Sequence, residues 1–277
     1  MNKERSPGPL IDRDAAAALM EALTDLVVRA GDAILAVNRA AMRIDGKLDG
    51  SPVTEADLAA DRVICDGLAL LAPEISALSE ERVQLAKPPY DGSFFLVDPL
   101  DGTKEFVAGR GEFTVNLALV TGGTPLLGII GAPALGLIWR GLVGRGAERL
   151  ATGRTVRTEP IHTRPIPQRG DPWIVAVSRS HGDMRTEAFI EGRPGAVRQV
   201  LGSAVKFGRV AEGGADIYPR LSPTCEWDVA AGHAIVTAAG GKITDSRGAD
   251  LRFGTGHGSF IVPEFIAWGD PSAARQS

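Results

Sequence analysis

Apolar residues in the first part of the chain recur mostly at three- and four-residue steps. The stripe consists of Leu19, Leu23, Leu26, Val27, Ala30, Ile34 and Val37. This spacing is typical of one face of an amphipathic helix. A second helix is predicted from Thr54, whose hydroxyl can cap it, with Asp57 and Asp61 on one face. Both helices are predicted to precede the first strand.

Short runs rich in β-branched and aromatic residues follow the two helices. They occupy residues 93–97, 113–120, 126–132 and 137–143, with glycines or proline at the turns. This half of the chain is therefore predicted to form helices over a mostly antiparallel sheet. The stretch 149–169 is rich in Thr, Arg and Pro without a sustained period, which indicates a crossover between two lobes.

The remaining sequence alternates strand and helix patterns. Strands are expected at 173–177, 216–218, Ile243 and 259–262, and helices at 184–191, 203–212 and 227–239. The tail after Trp268 is expected to fray. The predicted fold class is α/β (α+β), a layered sandwich with two lobes. An N-terminal α+β lobe would span residues 1–160 and a C-terminal α/β lobe residues 161–277.

Composition narrows the class of protein. The chain has 277 residues, 44% of them hydrophobic and 23% charged, which is enough apolar surface for a buried core. Thirty Lys and Arg against 34 Asp and Glu give a net charge of -4, so neither nucleic acid nor an anionic membrane is an expected partner. Two cysteines without a CxxC favour a reducing cytoplasm, and no signal peptide or membrane span is predicted.

The segment Asp98-Pro99-Leu100-Asp101-Gly102-Thr103 directly follows a short apolar run and is predicted to lie in a loop at a strand end. Two carboxylates three residues apart suit a hard cation, and the Gly-Thr behind them offers N–H groups and a hydroxyl for phosphate. Enzymes that form an aspartyl phosphate commonly place their acids two residues apart, so a metal-activated water is favoured over a covalent nucleophile. An ordinary turn is the alternative interpretation.

Further acids stand at Asp57, Glu80, Glu81 and Asp228. Taken singly, Asp57 and Asp228 are explained by helix capping or the helix dipole, and Glu81 by exposure to solvent. If these acids converge, their repulsion must be relieved by protonation or by cations. A set of this size favours Mg²⁺.

Four motifs in order resemble those of the inositol monophosphatase superfamily. They are VTEAD at 53–57, LSEE at 78–81, DPLDGT at 98–103 and WDVAAG at 227–232, and the resemblance spans about residues 19–262. Three softer motifs, KEF at 104–106, GEFTVN at 111–116 and SRSH at 178–181, resemble the 3'(2'),5'-bisphosphate nucleotidase branch. Inositol monophosphatases more usually carry Asn where Glu105 stands. The resemblance implies the layered sandwich of the inositol monophosphatase and sugar phosphatase type.

The resemblance also implies a site for Mg²⁺. Its ligands would be Glu80, Asp98, the carbonyl of Leu100, Asp101 and Asp228, with Asp57 near a weaker metal position. Two metals would activate a water for in-line attack without a phosphoenzyme. The implied catalytic residues are Glu80, Thr103 and Asp57, while the N–H groups of Gly102 and Thr103 would bind the scissile phosphate. Asp228 would also contact the leaving side of the substrate.

The nucleotidase branch further implies contacts from His181, Ser203, Lys206 and Arg220 to the second phosphate, the ribose or the base. As alternatives, His181 caps a local turn and Lys206 and Arg220 are solvated surface charges. Ala204 stands where nucleotidases often carry a second Ser, which weakens the prediction of substrate. Cys65 and Cys225 are not predicted nucleophiles.

The sequence therefore predicts a Mg²⁺-dependent phosphomonoesterase that hydrolyses adenosine 3',5'-bisphosphate to AMP in sulfate assimilation. The resemblance also implies that Li⁺ inhibits it. Its partner would be a small phosphorylated nucleotide. An inositol or sugar phosphate phosphatase of the same superfamily is the first alternative. A non-catalytic nucleotide or metal sensor is the second, and the complete set of acids argues against it.

Overall fold

A computed structural model describes residues 8–42, 44–46, 52–85, 90, 92–152, 157–180, 182–255 and 260–275. The helices are α1 (Arg13–Ala36), α2 (Glu55–Leu71), α3 (Thr103–Val107), α4 (Met184–Glu191), α5 (Val205–Ala211) and α6 (Glu226–Ala238). The strands are β1 (Ile44–Gly46), β2 (Pro52–Thr54), β3 (Ser76–Ser79), β4 (Ser93–Asp101), β5 (Thr114–Thr121), β6 (Thr124–Ala132), β7 (Leu137–Leu142), β8 (Gly146–Ala151), β9 (Arg157–Ile161), β10 (Ile174–Ser178), β11 (Val197–Leu201), β12 (Ile217–Arg220), β13 (Thr224–Cys225), β14 (Lys242–Thr244), β15 (Ile261–Val262) and β16 (Phe265–Trp268). Short 3-10 helices occupy Glu80–Leu85, Pro133–Leu135 and Ala273–Arg275.

Two sheets and three helical layers stack on one another. The larger sheet has the order β3-β4-β5-β6-β7-β8-β9 and is antiparallel except for the pair β3 and β4. The smaller sheet has the order β11-β10-β12-β16-β14, with β10 parallel to both of its neighbours. Helices α1 and α2 cover the outer face of the larger sheet, α5 and α6 lie between the sheets, and α4 contacts the smaller sheet. The predicted layered α/β sandwich is confirmed.

Strand β4 shows why its sequence is a continuous apolar run. Phe95 and Val97 belong to the core shared with α1 and α2, whereas Phe94 and Leu96 belong to the core between the two sheets. All four side chains are buried because both faces of the strand are covered. The apolar run therefore places the polar residues at the end of the same strand, Asp98 and Asp101, in the middle of the molecule.

Local signals fix the starts of both long helices. Asp12 caps α1 by accepting hydrogen bonds from the backbone of Asp14 and Ala15. At α2, Thr54 and Asp57 form a capping box. The side chain of each residue is hydrogen-bonded to the backbone of the other. The prediction of both helices from periodicity and caps is confirmed. Among the helices that the structure describes, none combines the length and apolarity that a membrane crossing requires.

Two features of this part of the fold differ from the sequence predictions. The short pair β1 and β2 precedes α2, so the expectation that both helices come before the first strand is wrong. Residues 146–151 and 157–161 are the strands β8 and β9 rather than part of a crossover. Four of the five residues of β9 are exposed, and an edge strand in solvent carries no apolar alternation to detect. The division into lobes at residues 160 and 161 stays a prediction.

The C-terminal part contains three strands that the sequence did not reveal, β11, β13 and β16. The exposed valines of β11 sit on the edge of the smaller sheet. The tail after Trp268 is not frayed within the residues described. Ala273 and Ala274 are buried against the outer face of the smaller sheet, together with Ile217 and Trp268.

Candidate active site

A cavity of about 430 Å³ is lined from both sheets and from the helices between them. Its acidic residues come from the 3-10 helix after β3, from β4, from α3 and from the first turn of α6; they are Glu80, Asp98, Asp101, Glu105 and Asp228. Its basic residues are Lys104, Lys206 and Arg220. The structure thus brings together all four side chains that were predicted to bind metal, and the carbonyl donor Leu100 lies beside them.

The two aspartates at 98 and 101 line the cavity because β4 is irregular at its end. The strand continues through Asp101, so the prediction that both residues lie in a loop beyond the strand is wrong. In a regular strand, residues three apart face opposite sides of the sheet. The pairing of β4 with β5 shifts register between Asp98 and Asp101, and this irregularity directs both residues to the cavity.

Gly102 joins β4 to α3 in a backbone conformation that only glycine accommodates there. Its φ is +91°, and an added Cβ would lie 2.1 Å from Oγ of Ser203. Thr103 begins α3, and its hydroxyl donates a hydrogen bond to Oδ1 of Asp57 at 3.0 Å. Asp57 is buried and outside the cavity lining, so it reaches the cavity through Thr103.

Glu80 stands at the cavity because the residues on either side of it are held by Asp61. The hydroxyl of Ser79 donates to Asp61 at 2.6 Å, and Nε of Arg82 donates to the same carboxylate at 2.8 Å. Asp61 is buried on α2, one turn after Asp57. The sequence placed Asp61 on the same face as Asp57 but assigned it no role, because its partners lie up to 21 residues away.

Asp228 combines the two interpretations that the sequence left open. Its Oδ2 accepts hydrogen bonds from the hydroxyl of Thr224 and from the backbone of Cys225 at 3.2 Å, which caps α6. The residue also lines the cavity. Capping therefore fixes the orientation of this carboxylate instead of competing with a role in the site.

The electrostatics of the cavity disfavour a negative charge on Asp101. Burial and the neighbouring Asp228 raise its pKa to about 6, and Lys206 and Arg220 oppose that shift. The hydroxyl of Thr114 and the amide of Asn116 each lie 3.4 Å from Oδ2 of Asp101. Ionising this side chain is therefore costlier than ionising an exposed aspartate, and a bound cation would lower that cost.

The donor set fits a hard divalent cation. Carboxylate and carbonyl oxygens are the ligands that Mg²⁺ prefers, and Oδ1 of Asn116 is a further buried oxygen without a hydrogen-bond partner in the described part of the chain. Among those same residues, no three His, Cys, Asp or Glu side chains are gathered closely enough to form a finished metal site. The ligand roles of Glu80, Asp98, Asp101 and Asp228 therefore remain predictions.

The cationic side of the cavity is buried rather than solvated. Nζ of Lys206 donates to the carbonyls of Ser203 at 2.5 Å and Leu201 at 3.4 Å, and burial lowers the pKa of this lysine to about 8. Arg220 lies half-buried on β12 and its Nη2 donates to the carbonyl of Pro223 at 3.3 Å. The interpretation of Lys206 and Arg220 as solvated surface charges is wrong.

Of the remaining predicted substrate contacts, one lies in the cavity and one lies outside the described residues. Ser203 lines the cavity, and its hydroxyl shares its hydrogen between the carbonyls of Asp101 and Glu112, each at 2.9 Å. His181 is not among the residues that the structure describes, so its role stays a prediction. The neighbouring Ser180 does line the cavity and donates to Glu105.

Sequence reasoning missed the aromatic residues of the cavity. Phe207, Tyr218 and Phe265 line it and pack on one another, with ring centroids 5.0 to 5.4 Å apart. Tyr218 comes from the four-residue strand β12, and Phe265 from β16, which was not predicted. Only the pairing of these two strands brings the rings together, so no local pattern could have revealed the cluster.

A layered α/β fold in which carboxylates and cations line one cavity is typical of an enzyme that acts on phosphorylated small molecules. The chain belongs to the inositol monophosphatase family, whose model matches residues 16–273. This family consists of metal-dependent phosphatases. The predictions of the superfamily and of an enzyme are confirmed.

Similar proteins support the assignment along nearly the whole chain. A curated 3'(2'),5'-bisphosphate nucleotidase CysQ from Shigella flexneri is 40% identical over 257 residues, which is 89% of this chain and 98% of the relative. The crystal structure of CysQ from Bacteroides thetaiotaomicron matches with a TM-score of 0.73 and 31% identity, covering 91% of this chain and 97% of the other. An inositol monophosphatase from Zymomonas mobilis matches with a TM-score of 0.74 and 28% identity, over 95% and 98% of the chains.

Proposed function

We propose that this protein is a Mg²⁺-dependent 3'(2'),5'-bisphosphate nucleotidase that hydrolyses adenosine 3',5'-bisphosphate to AMP and phosphate. The observation that carries the proposal is the division of one cavity into two charge zones. The acidic zone consists of Glu80, Asp98, Asp101 and Asp228, and the cationic zone consists of the buried Lys206 and the half-buried Arg220. A substrate with two phosphates fits both zones, because one phosphate is hydrolysed among the acids while the cations hold the second. The curated CysQ relatives carry the same activity in their name.

The acidic zone would hold the metal through Glu80, Asp98, the carbonyl of Leu100, Asp101 and Asp228. When bound, Mg²⁺ supplies Lewis-acid polarisation of the phosphoryl group and activation of a water. The side chains around it have roles of their own. Asp228 is held by its capping bonds with its carboxylate at the cavity, where it would contact the leaving side of the substrate.

The chain's own residues would orient the attack. Thr103 donates its hydroxyl hydrogen bond to Asp57, which leaves its oxygen lone pairs to accept a hydrogen bond from the attacking water. Glu80 lies on the same cavity and would help to deprotonate that water. The backbone N–H groups of Gly102 and Thr103, at the β4–α3 junction, would bind the scissile phosphate and stabilise the charge that develops there.

The second zone would select the nucleotide. Lys206 and Arg220 would pair with the second phosphate, Ser203 and His181 would contact the phosphate or the ribose, and the rings of Tyr218 and Phe265 offer an apolar surface for the base. We place the enzyme in the cytoplasm, in sulfate assimilation, with no nucleic acid as partner. Li⁺ would inhibit it by occupying a metal position without the charge of Mg²⁺.

Hydrolysis of an inositol or sugar phosphate is the second candidate. It is favoured by Ala204, which lines the cavity where nucleotidases often carry Ser, and by the structural match to an inositol monophosphatase. The test is phosphate release with Mg²⁺ from adenosine 3',5'-bisphosphate, inositol 1-phosphate and fructose 1,6-bisphosphate, each with and without Li⁺. A preference for the nucleotide that Li⁺ abolishes supports the proposal. Preference for either other substrate overturns the nucleotide assignment, and no release from any of them overturns the enzymatic assignment.

A further inference from the structure

Glu112 joins the two sides of the cavity. It lies between α3 and β5, in the part of the chain that carries the acids. Its Oε2 accepts hydrogen bonds from the guanidinium of Arg179 and from the backbone N–H of Gly202, the latter at 2.8 Å. Its own carbonyl accepts the hydroxyl of Ser203 at 2.9 Å. Glu112 is thus hydrogen-bonded both at the end of β10 and at the turn after β11, and both of these segments adjoin the smaller sheet.

The turn at Gly202 and Ser203 is packed directly on Glu112. An added Cβ on Gly202 would lie 2.5 Å from the carbonyl oxygen of Glu112 and 3.1 Å from Cγ of Glu105. Ser203 has a φ of +45°, a left-handed conformation that residues other than glycine rarely adopt. Its hydroxyl is bonded to the carbonyls of both Asp101 and Glu112. The contacts with the acidic side therefore impose the shape of this turn.

The same turn positions the buried lysine of the cationic zone. Lys206 follows it by three residues, and its Nζ donates to the carbonyls of Ser203 and Leu201. The side chain is 3% exposed, so few other positions are open to it. Arg179, the other partner of Glu112, is fixed to the same strand end by a backbone bond to the carbonyl of Leu201 at 3.1 Å. Displacing the turn would displace the ammonium group.

We propose that Glu112 is a positioning residue for the second-phosphate zone, which it fixes relative to Asp101 so that both phosphates of one substrate are bound at once. This inference rests on the proposed function, because that function assigns the second phosphate to Lys206. Glu112 itself lies outside the cavity lining and acts through the turn. Its loss is expected to weaken binding of a substrate with two phosphates far more than that of a substrate with one.

The experiment compares adenosine 3',5'-bisphosphate with adenosine 3'-monophosphate, which carries the same scissile group without the second phosphate. For Glu112→Ala, we expect KM for the bisphosphate to rise about tenfold or more. For the monophosphate, we expect kcat and KM each to change by less than about threefold. Glu112→Gln keeps an oxygen that can accept from Gly202, and it is expected to restore most of the affinity. The matched control is Glu187→Ala, which removes an exposed ion pair with Arg198 and leaves both substrates unaffected.

Each outcome decides between the claims. If the wild-type enzyme has the same KM for both nucleotides, that result overturns the assignment of the second-phosphate zone and, with it, the role of Glu112. A wild type that prefers the bisphosphate while Glu112→Ala leaves the KM ratio of the two substrates unchanged overturns the positioning role alone. An equal loss on both substrates also overturns it, because that result indicates a general loss of structure. If Glu112→Ala does not fold, Arg179→Ala takes its place, with an expected rise in the KM ratio of about threefold or more.

Discussion

The hydroxyl of Thr103 donates a hydrogen bond to Asp57 at 3.0 Å, across 46 residues of sequence. The other carboxylate oxygen of Asp57 accepts from the backbone of Thr54 at 2.7 Å and from its hydroxyl at 2.6 Å. Both oxygens of this buried carboxylate are therefore engaged, one in capping α2 and one in orienting Thr103. The start of one helix fixes the hydroxyl at the start of another, and that hydroxyl lines the cavity.

Replacing Thr103 by Val removes this hydroxyl while keeping the branched shape. We expect Thr103→Val to lower kcat at least about a hundredfold, because the water loses its orienting acceptor. The unfolding free energy should change by less than about 2 kcal/mol, since one buried hydrogen bond is lost. Steady-state phosphate release and urea unfolding of the same preparation measure both. Thr158→Val, at an exposed position of β9, is the control, and a variant retaining half of the wild-type kcat would contradict the role of Thr103.

Asp61→Asn tests the support of Glu80. An amide offers one acceptor oxygen in place of two, so it cannot keep the bonds to both Ser79 and Arg82. We expect the Mg²⁺ concentration for half-maximal activity to rise about tenfold, in the range seen when groups that support metal ligands are altered. A Mg²⁺ titration of phosphate release checks this. Asp25→Asn, exposed on α1, should leave the titration unchanged; an unchanged midpoint for Asp61→Asn refutes the role.

Gly128 permits the close approach of β6 to α6, the helix that carries Asp228. An added Cβ would lie 2.2 Å from the carbonyl oxygen of Ala231, a contact between two backbones that no side-chain rotation relieves. We expect Gly128→Ala to lower the unfolding free energy by about 2 to 3 kcal/mol. Gly46→Ala is the control, because its Cβ would meet nothing within 4 Å. Equal denaturation midpoints for the two variants would show that β6 and α6 can move apart without lowering the unfolding free energy.

The buried His233 makes the stability of the fold depend on pH. Burial lowers its pKa to about 4, against the opposing charge of Asp250, and its Nδ1 has no hydrogen-bond partner among the residues described. The unfolded chain has the ordinary value of about 6.5 and takes up a proton that the folded chain does not. Stability is therefore lost as the pH falls from about 6.5 toward 4.

Between pH 7.5 and pH 5 this residue is expected to cost about 2 kcal/mol of unfolding free energy. His233→Leu should remove that part of the pH dependence, so the difference in stability between variant and wild type should move in the variant's favour on acidification. Urea unfolding at the two pH values measures it. Parallel pH profiles for the two proteins would show that His233 is protonated equally in both states.

The sequence predicted the elements whose signals are local. The apolar stripe from Leu19 and the cap at Thr54 identified α1 and α2, and the segment 98–103 located the acids. The register shift that turns Asp98 and Asp101 to one side depends on the pairing of β4 with β5, and sequence spacing alone suggested a loop. From the sequence alone, a loop and an irregular strand end can have the same turn-forming residues. Only the pairing with the neighbouring strand distinguishes the two.

The supports of the site were beyond reach for the same reason. Asp61 contacts Ser79 across 18 residues, and Glu112 contacts Gly202 across 90. Both residues are ordinary acidic side chains, one on a helix and one in a connecting segment. The sequence around them does not indicate which distant residue each will contact. The motifs include Asp57 and Glu112, which lie outside the cavity lining, but the contacts that these two side chains make follow only from the three-dimensional packing.

Asp101→Asn tests the central claim, that the carboxylates lining the cavity are present for metal-dependent phosphate release and not for stability. We predict that it lowers phosphate release from adenosine 3',5'-bisphosphate with Mg²⁺ at least about a hundredfold. Its metal-free unfolding midpoint should equal or exceed that of the wild type, since the repulsion from Asp228 is relieved. Asp32→Asn, exposed on α1, should behave as wild type. Undiminished phosphate release from Asp101→Asn would contradict the account.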